Sequence, residues 1–249
     1  TQPNTLFPYT TLFRSNPNTN FAGIDIFIGD TAPKNALGIL FKEQESGFIA
    51  GVLAGLLTKE YASCSDKLND KNVVGMILGL DIPPVERYQA GFYAGVKLVN
   101  PDCEILTIVA GSFTDQGKGK EAALTLIGKG ADIVFPIAGL TGMGAINACK
   151  EKGVMAIGVD VDQNYLAPNT VVTSAIKGIR AATYLTIKDV IDGKFVGGTS
   201  KTFGINEGAT GISPYHSFDQ IIPQAVKDKI NEISDELWSA LLPQSIVTD

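Results

Sequence analysis

The sequence predicts an α/β fold built around a parallel sheet. Between residues 73 and 159, short apolar runs alternate with longer segments of helical composition. Each apolar run ends abruptly in glycine or polar residues, as strands do when they stop at one edge of a sheet. Because parallel strands need a helical crossover, this alternation indicates consecutive βαβ units that form a doubly wound lobe.

Residues 130–164 show one such unit most clearly. The apolar run Ile133–Phe135 is followed by a glycine-rich turn, a helical segment closed by Gly153, and a second apolar run, Val154–Val159. In open α/β sheets, ligands bind at the carboxyl ends of the strands. We therefore expect a ligand site where these two strands end.

Residues 1–16 are expected to be foreign to the protein. They contain the string LFPYTTLFRS, which resembles the translation of a sequencing-library adapter. They lack the apolar core and the small-residue cleavage site of a signal peptide. We therefore leave them out of the fold prediction and expect the true N-terminus to be missing.

Two strands and a helix are expected before the regular part of the chain. Phe21–Ile28 and Ala36–Phe41 have strand-like composition, and Lys42–Tyr61 has helical composition. Glu43 and Glu45 fall in the first turn of this helix, where the helix dipole favours acidic residues. The segment that follows, up to residue 72, is polar and is expected to be a surface loop.

Three glycines in this helix recur every four residues and leave one smooth face. They are Gly47, Gly51 and Gly55. We expect this face to let the helix lie close against a sheet. The longest apolar run, Gly47–Leu57, is too short to span a bilayer, which excludes a membrane-dimer interpretation of the glycine spacing.

The regular part predicts four strands and three helices. The strands are Val73–Leu78, Ile105–Ala110, Ile133–Phe135 and Val154–Val159. The helices are about Pro84–Val99, Gln116–Lys129 and Met143–Lys152, and Pro84 suits the first turn of its helix. Ser112 and Asp115 are interpreted as caps of the helix that follows them.

The pattern changes after residue 162, which predicts a chain that crosses between two lobes. The remaining elements are Val171–Ser174, a helix Gly178–Asp192, a strand Ser200–Phe203 and an amphipathic helix Pro223–Leu241. We assign residues 17–72 and about 171–204 to lobe one. Residues 73–170 and about 205–249 are assigned to lobe two.

Composition and charge exclude several classes of function. The chain has 249 residues, of which 45% are hydrophobic, and a net charge of -6. No lysine and arginine cluster occurs, so nucleic acid is not an expected partner. The glycines near residue 140 have the spacing G-x-x-G-x-G and fail the dinucleotide fingerprint. No hydrolase or P-loop motif is present, and we expect no enzymatic activity and no cofactor.

No metal site is expected either. The cysteines Cys64, Cys103 and Cys149 lie far apart and are interpreted as isolated thiols. The single histidine, His216, is interpreted as a surface or packing residue. The segment from Asp160 to Asn164 is similar to the start of a calcium-binding loop, but Tyr165 stands where that loop needs glycine.

The strand ends near residue 140 suit a ligand with a flat ring and hydroxyl groups. They present an aromatic side chain, Phe135, a close-approach backbone at Gly139 and a carboxylate, Asp160. For Phe135 considered alone, packing in the core competes with stacking on a ligand.

The chain resembles the basic-membrane-protein family, the purine-nucleoside-binding lipoproteins of ABC importers. The matching pieces run in family order from residue 17 nearly to the end. They are FAGID ending at residue 25, FKEQESGFIAGVLAG (41–55), GLDIPPVERYQAGFYAGVK (79–97), GSFTDQGKGKEAA (111–123), GADIVFPIAGLTGMGA (130–145), IGVDVDQN (157–164) and VVTSAIKG (171–178).

The resemblance implies a periplasmic-binding-protein type I fold, with two Rossmann-like lobes, a hinge of crossover strands and a ligand cleft between the lobes. It implies that Asp25 hydrogen-bonds the purine and that Phe135 stacks on it. Lys177 and a carboxylate would hold the ribose. Asp160 and Asp162 both remain candidates for that carboxylate, and the strand-end argument favours Asp160. Gly139 would let the backbone approach the sugar.

The resemblance also implies partners and a location. The ligand would be a purine nucleoside such as inosine, guanosine or adenosine, and ABC permease subunits would receive it. The protein would be lipid-anchored at the cell surface or in the periplasm. The opening strand of lobe one, the signal peptide and the lipidated cysteine are expected to be missing from this chain. A sheet without its central strands exposes apolar edges, so we expect poor stability and weak binding.

Three alternatives remain open. A sugar or autoinducer binder would use the same fold, and sugars also stack on aromatic rings. The effector domain of a transcription regulator would need a DNA-binding segment before residue 17. A Rossmann-type enzyme is disfavoured by the missing phosphate fingerprint and the single histidine.

Overall fold

The structure, a computed structural model, describes residues 10–29 and 33–238. The strands are β1 Phe21–Ile24, β2 Ala36–Phe41, β3 Val73–Leu78, β4 Glu104–Val109, β5 Ile133–Ile137, β6 Met155–Asp160, β7 Val171–Lys177, β8 Thr199–Phe203 and β9 Thr210–Ile212. The α-helices are α1 Thr10–Ser15, α2 Glu43–Leu57, α3 Pro83–Val99, α4 Gln116–Gly128, α5 Gly139–Lys152, α6 Ile179–Ile191 and α7 Gln224–Trp238. Residues 1–9 of the adapter-like segment and the expected end of the last helix, residues 239–241, lie outside the described residues.

The chain forms two compact units whose boundaries differ from the expected lobes. The smaller unit takes the chain up to Lys42 and again Gly178–Ala209, and the larger unit takes Glu43–Lys177 and the chain from Thr210. The sequence placed α2 and β7 in lobe one. The structure corrects this, because α2 packs on α3 and β7 pairs with β6.

The smaller unit is built on three parallel strands in the order β1-β2-β8. Its core joins Ile39, Phe41 and Phe203 from the strands with Ala182 from α6. The first strand stops at Ile24 instead of continuing to residue 28. It stops there because the next residue, Asp25, adopts a φ of 56°, which turns the chain out of the extended conformation.

Hydrogen bonds and an aromatic contact hold the N-terminal segment of the smaller unit against β1 and the loop before β2. The side-chain amide of Asn35 donates to the carbonyl oxygens of Phe13, Asn16 and Thr19 at 2.9–3.0 Å. The rings of Phe13 and Phe21 lie 4.9 Å apart between centroids. The described part of the segment 1–16 therefore packs on β1 and on the loop that precedes β2.

The larger unit is built on a six-stranded sheet in the order β4-β3-β5-β6-β7-β9. All neighbouring strands are parallel except β7 and β9, which are antiparallel. One face of the sheet is covered by α4 and α5 through a core that includes Val134, Leu126 and Ile146. Side chains alternate along a strand, so Phe135 points to the opposite face, where it meets Tyr88 and Phe92 of α3.

The glycine face of α2 lies against α3, and the expectation that it would lie against a sheet is wrong. A Cβ atom added at Gly47 or Gly51 would overlap the carbonyl oxygens of Tyr88 or Phe92. Glycines on the other helix complete the contact, since a Cβ atom at Gly91 would overlap the backbone of α2. The two helix backbones touch because glycine has no side chain to hold them apart.

Asp132, the residue before β5, is a buried carboxylate at the amino end of the sheet. Thr58 Oγ1 donates to Asp132 Oδ1 at 2.7 Å, and the Asn69 N–H donates to Oδ2 at 3.0 Å. Burial raises the pKa of this carboxyl group to about 6, although the two hydrogen bonds lower it. The Asp132 carboxylate therefore connects the end of α2 and the following loop to the sheet, and its burial costs some stability.

In the described part of the chain, no helix is both long and apolar enough to cross a bilayer.

Gly51→Ala should lower the free energy of unfolding by roughly 1–3 kcal/mol, because the new methyl group forces α2 and α3 apart. Gly128→Ala is the matched control, since a Cβ atom there meets nothing within 4 Å. In the control, the gain in helix propensity should stabilise the protein by roughly 0.5–1 kcal/mol. Urea unfolding measures both changes, and equal effects would contradict the close contact.

Asp132→Asn should remove a pH dependence of stability. The pKa of about 6 in the folded protein lies above the ordinary value of 3.8, so the folded state holds the proton more tightly. The stability that this proton contributes is present at acid pH and is lost as the pH rises from about 4 to about 6. Over that window, the free energy of unfolding of the unmodified protein should fall by roughly 3 kcal/mol relative to Asp132→Asn.

The measurement is urea unfolding between about pH 4 and about pH 7. Asp102→Asn, at a side chain that is 82% exposed, serves as the control and should follow the unmodified protein. Parallel pH profiles for the unmodified protein and Asp132→Asn would contradict the assignment.

Candidate functional site

Three of the predicted site residues lie along the carboxyl edge of the larger sheet. Gly139 follows β5, Asp160 ends β6 and Lys177 ends β7. These strands are parallel neighbours, so their carboxyl ends share one edge. In the register of β6 and β7, Asp160 stands opposite Ile176, which makes Asp160 and Lys177 neighbours along that edge.

Asp160 adopts a backbone conformation that is uncommon for a residue with a side chain. Its φ is 65°, and the residue is half-buried. Such conformations are concentrated at functional sites, where the surrounding structure holds them in place. The hydroxyl of Tyr88 lies 3.3 Å from Asp160 Oδ1 and 3.4 Å from the carbonyl oxygen of Ala175, and it can donate to either.

Lys177 is buried, and its charge is met by a buried carboxylate on α2. Its Nζ atom lies 3.0 Å from Oε1 of Glu43, and the other oxygen, Oε2, accepts a hydrogen bond of 2.6 Å from Nε of Arg87. The Glu43 side chain is 0% exposed. From the sequence, Glu43 and Glu45 were predicted to interact only with the helix dipole. The structure shows instead that both are buried and paired within the larger unit.

Asp162 has both carboxylate oxygens engaged. Its Oδ2 lies 2.7 Å from Nε2 of His216, and its Oδ1 accepts a hydrogen bond from the Asn164 N–H at 3.1 Å. Both side chains of the Asp162–His216 pair are partly exposed, and the pair joins the loop after β6 to the loop after β9. A ligand would have to compete with these partners for Asp162.

Phe135 is part of the core. Its exposure is 0%, and its ring packs 5.2 Å from that of Phe92 and 6.1 Å from that of Tyr88 between centroids. A ligand could reach either face of the Phe135 ring only if these neighbours moved. The burial of Phe135 therefore favours the core interpretation over the stacking role that was predicted for it.

A second aromatic residue, Phe113, is half-buried at the carboxyl edge. It falls within the strand end Gly111–Asp115, but the sequence pattern did not single it out as a ligand contact. Its ring covers Gly79 at the end of β3, where any side chain would overlap it. Its carbonyl oxygen accepts a hydrogen bond of 3.2 Å from the N–H of Thr141 in the first turn of α5. Phe113 lies between Ser112 and Asp115, which were both interpreted as helix caps. Its position in the loop after β4, near the carboxyl end of that strand, was the only sequence feature that pointed to a ligand site.

The capping prediction is confirmed for Asp115, whose side chain accepts a hydrogen bond of 3.2 Å from the Lys118 N–H at the start of α4. Ser112 accepts hydrogen bonds from the N–H groups of Thr114 and Asp115, both at 3.1 Å. These bonds hold the loop that carries Phe113 in one conformation.

Gly139 is exposed and has a φ of 55°, which favours glycine. It is the first residue of α5, and the backbone of Phe113 lies against it. The backbone N–H groups at the start of a helix attract hydroxyl oxygens and anions. A ligand group can therefore approach this backbone closely.

Asp25 belongs to the smaller unit, where it is exposed at the end of β1 and has a φ of 56°. Its N–H donates to the carbonyl oxygen of Ile39 at 2.8 Å. The other five predicted residues belong to the larger unit.

The described residues contain no group of three or more histidine, cysteine or acidic side chains that could hold a metal ion. The three cysteines are free. Burial raises the pKa of Cys103 to about 11 and that of Cys149 to about 12, so both thiols stay protonated near neutral pH.

The carboxyl edge combines three kinds of ligand contact. A carboxylate such as Asp160 accepts hydrogen bonds from hydroxyl groups, and an ammonium such as Lys177 donates to them, in each case with a charge that strengthens the bond. The half-buried ring of Phe113 offers an apolar face. This combination can hold a hydroxylated ring that carries a flat aromatic group.

A family model matches most of the chain. The model described as "ABC transporter substrate-binding protein PnrA-like" matches residues 9–240.

Relatives and a solved structure are also similar to the chain. Basic membrane protein A1 of Borrelia garinii subsp. bavariensis is 32% identical over 236 residues, which cover 93% of this chain and 65% of that protein. The ABC transporter nucleoside-binding protein BmpA of Lactococcus lactis subsp. cremoris is 32% identical over 241 residues, which cover 90% and 65%. This chain therefore spans about 65% of the length of these curated relatives.

The crystal structure of an ABC transporter solute-binding protein from Aeropyrum pernix superimposes with a TM-score of 0.81. The identity is 24%, and the match covers 95% of this chain and 74% of that one. This similarity confirms the predicted α/β fold of the periplasmic-binding type.

Proposed function

The chain belongs to the PnrA-like family of ABC transporter substrate-binding proteins, and from this premise we propose that it captures a purine nucleoside for import. The observation that supports the proposal is the carboxyl edge of the larger sheet, along which Asp160, Lys177, Phe113 and the backbone of Gly139 all lie. The name of the Lactococcus relative, a nucleoside-binding protein, supports the ligand class.

In this proposal the ribose is held at the ends of β6 and β7. Asp160 accepts hydrogen bonds from ribose hydroxyl groups, and Lys177 donates to their oxygens. Asp160 is preferred to Asp162 because it ends β6 at the carboxyl edge, beside Lys177. Gly139 contributes its backbone, which is exposed.

The purine stacks on Phe113 in this proposal, which replaces the assignment to Phe135. Phe113 is half-buried at the carboxyl edge, whereas the Phe135 ring is enclosed by Tyr88 and Phe92. Stacking of a base on an aromatic ring contributes roughly 1–3 kcal/mol. A hydrogen bond from Asp25 to the purine stays a prediction.

The partners and the location follow from the family and are also proposals. ABC permease subunits would receive the nucleoside outside the plasma membrane, and a lipid anchor on the mature protein would keep the binder beside them. The family is one of binding proteins, so the nucleoside should be released unchanged.

Calorimetric titration and saturation-transfer NMR, which also detects weak binding, test the ligand class. Inosine, guanosine and adenosine should bind. Ribose should bind at least about tenfold more weakly because it has no base to stack, and cytidine should bind more weakly than the purine nucleosides because its single ring covers less of the aromatic face. Binding of ribose as tight as that of inosine would favour a sugar binder instead. Release of free base during the titration would indicate a nucleoside hydrolase.

Phe113→Leu and Phe135→Leu separate the stacking residue from the core residue, since each keeps apolar volume and removes a ring. Phe113→Leu should weaken inosine binding by roughly 1–3 kcal/mol and leave stability nearly unchanged. Phe135→Leu should lower the free energy of unfolding by roughly 0.5–3 kcal/mol and leave inosine affinity nearly unchanged. Loss of affinity in Phe135→Leu alone would restore the assignment made from the sequence.

A further inference from the structure

Glu43 is a buried charge that no ligand can touch, yet it contacts a residue of the proposed site. Its side chain is 0% exposed, and its two oxygens face different cations, Lys177 at 3.0 Å and Arg87 at 2.6 Å. Among the described residues, no donor meets Glu43 Oε1 with hydrogen-bonding geometry, so the charge of Lys177 compensates that oxygen.

The two cations differ in what they can fix. An arginine guanidinium is rigid and holds a carboxylate in one orientation, whereas a lysine ammonium is a point charge on a flexible stem. Arg87 therefore orients Glu43, and Glu43 then fixes the position of the Lys177 ammonium. Without this carboxylate, the four-carbon stem would let the ammonium leave the edge of the sheet.

Stability alone does not account for this group of charges. Taking ions out of water costs several kcal/mol each, so a buried ion pair adds little net stability compared with apolar side chains of the same size. The main consequence of the arrangement is geometric. It places one ammonium at the carboxyl end of β7, beside Asp160.

Neighbouring residues of α2 hold the backbone at the same point. Oγ of Ser46 donates to the carbonyl oxygen of Ile176 at 2.7 Å and accepts from the N–H of Gly211 at 2.9 Å. Thr210 Oγ1 donates to Glu45 Oε2 at 2.6 Å. The first turn of α2 thus fixes the ends of β7 and β9 through Glu45 and Ser46, and the Lys177 side chain through Glu43.

We propose that Glu43 is a positioning residue for ligand binding. Held by Arg87, it keeps the Lys177 ammonium where a ribose hydroxyl oxygen is received, without contacting the ligand. The identity of the ligand in this inference rests on the proposed function. The placement of Lys177 by Glu43 is independent of that function.

Glu43→Gln, which keeps the size and removes the charge, tests the proposal against Asp132→Asn. The control is also a buried carboxylate, but it lies at the amino end of the sheet, where it is bonded to Thr58 and Asn69. Inosine and 2′,3′-dideoxyinosine, which lacks the 2′ and 3′ hydroxyls of the ribose, are titrated into each protein. In Glu43→Gln, inosine affinity should fall roughly 10- to 100-fold, the effect of losing a charged hydrogen bond.

The affinity for dideoxyinosine should change by about twofold or less in Glu43→Gln, because this ligand lacks the 2′ and 3′ hydroxyls that Lys177 would bind. Asp132→Asn should keep the ratio between the two ligands, even if it lowers stability. An equal loss for both ligands in Glu43→Gln, or a lost ratio in Asp132→Asn, would overturn the positioning role.

A second measurement does not depend on any ligand. Acetic anhydride acylates free amines, and mass spectrometry gives the rate at each lysine. Lys177 should react faster in Glu43→Gln than in the unmodified protein, whereas Asp132→Asn should leave its rate unchanged. An unchanged rate in Glu43→Gln would overturn the inference. If the unmodified protein binds no nucleoside, the proposed function fails, and the acylation rate still decides whether Glu43 places Lys177.

Discussion

The close contact between α2 and α3 determines where the polar groups of the candidate site stand. Glycines on both helices remove the side chains that would separate them, and the backbones meet directly. This contact brings Arg87 of α3 to Glu43 of α2, and α3 also carries Tyr88 to Asp160. If the two helices lay further apart, the buried carboxylate of Glu43 would lose its bond to Arg87. Removing a partner from a buried charge is strongly destabilising.

The parallel sheet supplies the other half of the arrangement. Because neighbouring parallel strands end at the same edge, residues that are distant in sequence become neighbours without any long loop. Asp160 and Lys177 meet in this way. The ring of Phe113 fits at this edge because Gly79, which lies beneath it, has no side chain. The site thus depends on where side chains are absent as much as on where they are present.

The course of the chain explains which sequence-based assignments were correct. Apolar runs and helical segments are local properties, so the order of strands and helices from β3 to β6 was predicted nearly residue by residue. Membership of a unit depends on pairing with distant residues. The pattern of β7 contains nothing that distinguishes β6 from β2 as its neighbour, and the glycine face of α2 does not reveal whether a sheet or a helix lies against it.

The sequence by itself determined the fold class, the family and the strand ends at which Gly139, Asp160 and Lys177 lie, because each of these follows from local pattern or from motif order. Only the tertiary structure decided which aromatic ring is buried and which partners each carboxylate has. Phe135 and Phe113 both stand near a strand end, but only packing by α3 encloses the first. From the sequence, Glu43 is an acidic residue in the first turn of a helix. Only the fold brings Arg87 and Lys177 to it and so places it in buried ion pairs. Burial and ion pairing depend on residues that are distant in sequence and meet only in the folded protein, so a local sequence pattern cannot predict them.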